Sequence, residues 1–210
     1  MLWTLKYTTR CGSASNAYMT YAIITIILSP QGHLNSCTAN ALSQIWRYAQ
    51  SRVDPGFNPS RLFIYYNERS AEGTASQDSG AYLSDGCRSL KTYGVCSEWT
   101  WPYEESNEPV KPPQDAYDEA LDHIIHTPCQ LSSNLSTLKD SLAQEKPFVV
   151  GISVYEEFLS DHATKYGNVE MPGPGSQHKF NHAVTCVGYD DGAQEWIFRN
   201  SWGPDWGCNG

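Results

Sequence analysis

Two kinds of hydrophobic patterning share this chain, and they meet at one proline-rich, charged stretch, WPYEESNEPVKPPQD (101–115). Before it, apolar residues recur at helical spacing. In SCTANALSQIWRYA (36–49) they fall at Ala39, Ala41, Leu42, Ile45, Trp46 and Ala49, which predicts a helix with one buried face. Ser36 is its expected N-cap, so Cys37 falls in the first turn. DPGFNPS (54–60) is a loop of turn formers. SRLFIYYNERSAEG (60–73) predicts a second helix capped by Ser60 and ended by Gly73, and SGAYLSDGCRSLKTYGV (79–95) a third stopped at Gly94. After the proline-rich stretch the character changes. YDEALDHIIH (117–126) suits a helix or a strand, and NLSTLKDSLAQEKP (134–147) a short helix with Leu135, Leu138 and Leu142 on one side. FVVGISVY (148–155) reads as a strand, and HAVTCVGYDDGAQEWIFRNSW (182–202) as a hairpin joined by DDGAQ. Helices first and strands second predict an α+β protein in two lobes, at about residues 31–110 and 111–210.

Residues 1–30 stand apart. AYMTYAIITIIL (17–28) is an uncharged run preceded by Lys6 and Arg10. It is shorter than the roughly 20 residues of a membrane span. Three readings stay open: the apolar region of a secretory signal, a buried strand, or a misassigned start of the reading frame. A net charge of −9 with no run of Lys and Arg excludes nucleic acid as the expected partner. The seven cysteines (Cys11, Cys37, Cys87, Cys96, Cys129, Cys186 and Cys208) are scattered without a CxxC pair, and the odd number leaves at least one thiol unpaired.

Cys37 is the residue with chemical promise. A thiol attacks a carbonyl as thiolate, and a helix N-terminus or a nearby imidazolium lowers its pKa. Of the six histidines, His182 opens the expected strand HAVTCVGYD, where it is held firmly beside a loop. Asn200 closes the neighbouring strand of that hairpin, and its amide can orient the imidazole and hold its tautomer. Trp202 is placed to shield that bond. Gln31, in the loop before Cys37, can donate to an oxyanion jointly with the Cys37 backbone N–H.

QGHLNSC, NHAVTCVGYDD and FRNSWGPDWG, in this order, resemble the papain-like cysteine peptidase family. DSGAYLSDGCRSLKTYGVCSEWTWPY (78–103) resembles the family's substrate-loop segment, and CTANAL and SRLFIYYNER resemble its microbial and viral-type members. The resemblance covers about residues 31–210. It implies one two-lobed peptidase domain, with a helical N-terminal lobe, an antiparallel β-barrel-like C-terminal lobe and the active site in the cleft between them. It implies Cys37 as nucleophile, His182 as base and then acid, Asn200 orienting His182, and Gln31 in the oxyanion hole. Gly80, with Ser79 beside it, would pair with an extended substrate, and Trp202 would line the same site. The reaction would be acyl transfer through a thioester, then hydrolysis. The expected partner is a peptide or protein substrate, with no cofactor, no metal and a monomeric chain.

Departures from the family pattern are specific. Leu34 stands where the family has a cysteine, so the disulfide that residue makes cannot form, which favours an intracellular location. Thr38 replaces an aromatic, and His33 and Asn35 replace smaller residues. The 30 residues before Gln31 read as too few for an inhibitory pro-segment, and the end at WGCNG predicts a truncated second lobe. These departures motivate the alternative of a catalytically inactive papain-like module that binds peptides, or a truncated fragment; a third reading keeps the chemistry and delivers the acyl-enzyme to an amine. His178 and His182 in HKFNH have the sequence spacing of a metal pair, but the flanking MPGPGSQ argues against helical geometry there. Cys87 and Cys96 read equally as a local disulfide or two buried thiols, Asn134 in NLS fits a glycosylation acceptor, and Trp206 reads as a wall aromatic.

Overall fold

The computed structural model describes residues 6–8, 17–19, 30–51 and 53–210. The chain divides into two compact units, Gln31–Gln130 and Leu131–Gly210 with the N-terminal residues through Pro30.

The first unit is built on helices α1 (Cys37–Gln50), α2 (Arg61–Glu72), α3 (Leu83–Thr92) and α4 (Gln114–Ala120). The periodic residues do the packing: Ala39, Leu42 and Trp46 of α1 are buried, as are Leu62, Phe63, Ile64 and Tyr65 of α2. The Ser60 hydroxyl accepts from the Phe63 N–H, and Gly73 ends α2 with a left-handed φ of 75°. Ser36 behaves differently from its expected capping role. Its φ of −91° and ψ of 25° lie outside the extended geometry a capping serine uses, and its side chain makes no cap bond. The hydroxyl instead pairs with the Tyr103 hydroxyl at 2.5 Å and accepts from Asn40 Nδ2 at 3.0 Å. α3 starts at Leu83, later than expected, because residues 79–82 form an open loop through Gly80, whose φ is 75°. The ambiguous YDEALDHIIH segment is helical at α4 and continues as a 3-10 turn over Leu121–His123.

Two charged side chains, Glu68 and Arg69, are fully buried in α2. Thr38 Oγ1 donates to Glu68 Oε2 at 2.8 Å, so the residue after Cys37 is tied to the carboxyl. Burial drives the Glu68 pKa up to about 8; Glu72 and Asp85 add to the rise, while the Thr38 hydroxyl and Arg69 oppose it. The unfolded carboxyl ionises near 4.5, so deprotonation favours the unfolded chain. The penalty is absent below pH 4.5, grows as pH rises towards about 8, and then levels off. Glu68→Gln is neutral throughout. Its melting temperature is expected to gain on the parent's across that window, by at least about 2–4 °C, equivalent to roughly 1 kcal/mol. Parallel melting curves from pH 4 to 9 would show that another group titrates.

The second unit carries a five-stranded sheet: β1 (Lys6–Thr8), β2 (Ala17–Met19), β3 (Phe148–Tyr155), β4 (His178–Asp190) and β5 (Glu195–Arg199). β4 is the spine, antiparallel to β3, β5 and β2, and β1 adds to β5 in parallel, giving the order β1-β5-β4-β2 with β3 also on β4. The C-terminal part is thus an open sheet rather than a closed barrel among the described strands. Of the apolar run 17–28, Ala17–Met19 pairs with β4, and the remainder lies outside the described residues.

Helix α5 (Leu135–Ala143) is capped by Asn134, whose Oδ1 accepts from the Thr137 N–H. Its Leu142 is buried, with Leu135 and Leu138 packed against the same core of Val154, Phe158, Val184, Tyr189, Trp196 and Phe198. A short helix, α6 (Asp161–Tyr166), follows β3 and places Ala163 in that core. The strand expected to open at His182 begins four residues earlier, because β3 is long enough to pair back to His178. His182 therefore lies inside β4, opposite Ile152.

Candidate active site

In the helical unit, Cys37 is the first residue of the 14-residue helix α1, half-buried and reduced, with no acidic side chain in the first turn. Backbone N–H groups at such a terminus favour a thiolate. The turn before it is pinned from two sides. Gln31 Nε2 donates to the Leu34 carbonyl at 2.8 Å, and the Gln31 carbonyl accepts from the Tyr103 hydroxyl at 2.7 Å. Tyr103 is itself held under the Arg61 guanidinium, 3.9 Å from its ring centroid. At Gly32, where φ is 62°, a Cβ would overlap Glu105 Oε1, the atom that accepts the His33 N–H at 2.9 Å. The left-handed φ favours glycine, and a side chain there would displace the Glu105 carboxylate. Gly80 and Ser79 lie in the loop between α2 and α3, and Ser79 Oγ hydrogen-bonds Thr74 Oγ1 at 2.9 Å and the Gly80 carbonyl at 3.1 Å.

In the sheet unit, His182 Nε2 and Asn200 Oδ1 are 2.8 Å apart, both residues buried. The Ser201 backbone N–H donates to the same Oδ1 at 2.8 Å, which identifies that atom as the amide oxygen. An amide oxygen only accepts, so Nε2 carries the proton in the neutral ring and Nδ1 is left as the basic nitrogen. Burial lowers the His182 pKa below its ordinary value, and the Asn200 bond offsets part of that. Burial therefore favours the neutral imidazole, and an anion beside it would favour the charged one.

Trp202 covers the ring, with centroids 4.9 Å apart at 32°. Phe158 meets the Trp202 ring edge-on at 5.3 Å and stacks on Trp206 at 5.2 Å. Trp206 is a wall of this box. Phe158, from a 3-10 turn after β3, is a member that sequence reading missed, because no motif links it to the histidine.

Cys37, Gln31, Ser79 and Gly80 belong to the helical unit, and His182, Asn200 and Trp202 to the sheet unit. His178 and His182 sit in one strand, about 13 Å apart at strand rise, and His178 Nε2 pairs with Asn181 Oδ1 at 3.2 Å. That separation rules out a shared ion. Among the described residues no cluster suits a metal, and no helix is long and apolar enough to cross a membrane. Cys87 and Cys96 are reduced thiols, so the disulfide reading falls away. Burial raises both pKa values, that of Cys96 to about 12, which makes them poor nucleophiles.

The sequence profile described as papain family cysteine protease matches residues 70–210. The chain belongs to the papain family of cysteine proteases. A peptidase C1-like protein of Acanthamoeba polyphaga mimivirus is 39% identical over 86% of the chain. A cathepsin B-like protein of Giardia intestinalis is 29% identical over 62%. Among solved structures, xylellain, a cysteine protease from Xylella fastidiosa, superposes with a TM-score of 0.86 at 32% identity, covering 99% of this chain and 83% of that one. The chain spans 61% of the mimivirus protein and 45% of the Giardia protein. The α+β papain-like fold expected from the motifs is the fold observed.

Proposed function

We propose that this papain-family chain hydrolyses peptide bonds through Cys37, His182 and Asn200. The observation that carries the reading is the buried His182–Asn200 bond, which fixes the proton on Nε2 and leaves Nδ1 basic. In this reading His182 Nδ1 takes the Cys37 proton, and the resulting thiolate provides the anion that a buried imidazolium requires. The sulfur attacks the scissile carbonyl carbon, and the oxyanion accepts from the Cys37 backbone N–H and from Gln31 Nε2. His182 returns its proton to the leaving amine as the C–N bond breaks, giving a thioester. A water, deprotonated by the same nitrogen, then releases the acid and restores the thiol. Gly80 and Ser79 pair with the extended substrate, and Trp202 shields the base from water.

The test is the pH dependence of Cys37 alkylation by iodoacetamide, followed by mass spectrometry in the parent and in His182→Ala. Fast labelling that persists well below pH 7 in the parent and is lost in the variant is the expected result. Labelling that rises only near the ordinary thiol value of about 8.5 in both proteins would remove the ion pair and the mechanism with it.

A further inference from the structure

Six residues of α2 and its following loop form a hydrogen-bonded network that reaches, through Asp78, the turn that leads into Cys37. Tyr65 and Arg69 lie one turn apart on α2 and reach the same loop. Arg69 Nη1 donates to the carbonyls of Ala75 at 3.0 Å and Gln77 at 2.8 Å. The Tyr65 hydroxyl donates to Asp78 Oδ1 at 2.5 Å and accepts the Gly80 N–H at 3.1 Å. Asp78 in turn takes the Asn35 N–H on both carboxylate oxygens, at 2.9 and 3.1 Å. Asn35 Nδ2 donates to Asp78 Oδ2 and to the Asp78 carbonyl, both at 3.0 Å. Residues 74–82 contain no cysteine and 31–36 none either, so no disulfide can tie these segments together.

We propose that Asp78 and Tyr65 are positioning residues, a polar clamp that fixes the Gly80 loop against the turn carrying the nucleophile. The inference rests on the hydrolase reading for what the clamp is for. An extended peptide bonded to the Gly80 backbone presents its carbonyl to Cys37 only if that loop keeps a fixed distance from residues 35–37. Gly80 has no side chain to anchor it, and residues 78–82 belong to no helix or strand. The clamp supplies that anchorage from both sides: Tyr65 holds the Gly80 amide, and Asp78 holds Asn35, two residues before the thiol. Burial, reinforced by Asp78, raises the Tyr65 pKa far above the ordinary phenol value, so the hydroxyl remains a donor at every working pH.

The experiment compares the parent with Asp78→Ala and Tyr65→Phe in three measurements. Peptide kcat/KM is expected to fall, chiefly through KM, by about 10–100-fold in Asp78→Ala, the scale of a misplaced substrate. Alkylation of Cys37 by iodoacetamide, which needs no loop contact, is expected to stay within about twofold. Tyr65→Phe keeps the ring under Arg69 and loses only the hydroxyl. Amide exchange at Gly80 is expected to speed up about fivefold in that variant, for one lost hydrogen bond. Parallel losses of alkylation and turnover would point to general distortion and overturn the clamp. So would an unchanged kcat/KM in an active parent, or unchanged exchange at Gly80. A parent with neither turnover nor low-pH alkylation defeats the hydrolase reading, while the exchange measurement still decides whether the clamp exists.

Discussion

Cys37→Ala is expected to lower peptide turnover on the order of a million-fold, the loss seen when a nucleophile that acts as a unit with its base is removed. The residue is half-buried at a helix start, so its truncation removes little packing. The melting temperature is expected to shift by no more than about 2–4 °C. His182→Ala is expected to cost nearly as much as Cys37→Ala, and the double variant no more than either alone. A thiol without its base stays protonated, and a base without the thiol has no nucleophile to activate. Steady-state hydrolysis of a fluorogenic peptide, with thermal melts of each variant, is the check. Hydrolysis unchanged in Cys37→Ala would exclude the thiol route. Losses that simply multiply would show that the two residues act independently.

Arg69→Met is expected to destabilise the fold by about 3–5 kcal/mol, the range for leaving one member of a buried ion pair without its partner. The Arg69 side chain is fully buried and pairs with Glu108, whose side chain is only 11% exposed. It also donates to the Glu108, Ala75 and Gln77 carbonyls and to its own helix at the Tyr65 carbonyl. Methionine matches much of the volume and none of the donors, so four carbonyls and one carboxylate each lose a donor together. The expected fall in melting temperature is roughly 10 °C. Adding Glu108→Leu is expected to restore part of it, because the buried unpaired charge is gone. A double variant no more stable than Arg69→Met would show that the carbonyl bonds, rather than the ion pair, carry the stability. The loop that Arg69 holds also leads to Asp78 and Gly80, so KM for peptide is expected to rise in the single variant.

Much of the local architecture was legible along the chain, because its causes are local. The periodic residues of α1 and α2, the Ser60 cap and the Gly73 terminator act within one or two helical turns. A neighbouring residue decides them, whatever the rest of the chain does. Cys37, His182 and Asn200 stand out the same way, from short motifs in a fixed order, and His182 Nε2 and Asn200 Oδ1 lie 2.8 Å apart.

What the sequence could not supply depends on where distant backbone comes to rest. Ser36 has a good capping residue's chemistry, yet its hydroxyl goes to Tyr103, 67 positions away. His182 was expected at a strand end and lies inside β4, because pairing with β3 extends that strand to His178. The His182 tautomer rests on the Ser201 N–H fixing the Asn200 amide, a bond set by the chain's bend after β5. Asn35 and Asp78 meet across 43 residues, and neither carries a motif that announces the other. Thr38 finds Glu68 across 30, and burial of that carboxyl is the largest cause of its raised pKa. Chain order and side-chain type determined which groups this protein has for chemistry. The packing of α2 and the sheet decided which of them are buried, protonated and held, because solvation and hydrogen-bond geometry act through space and leave no periodic trace along the chain.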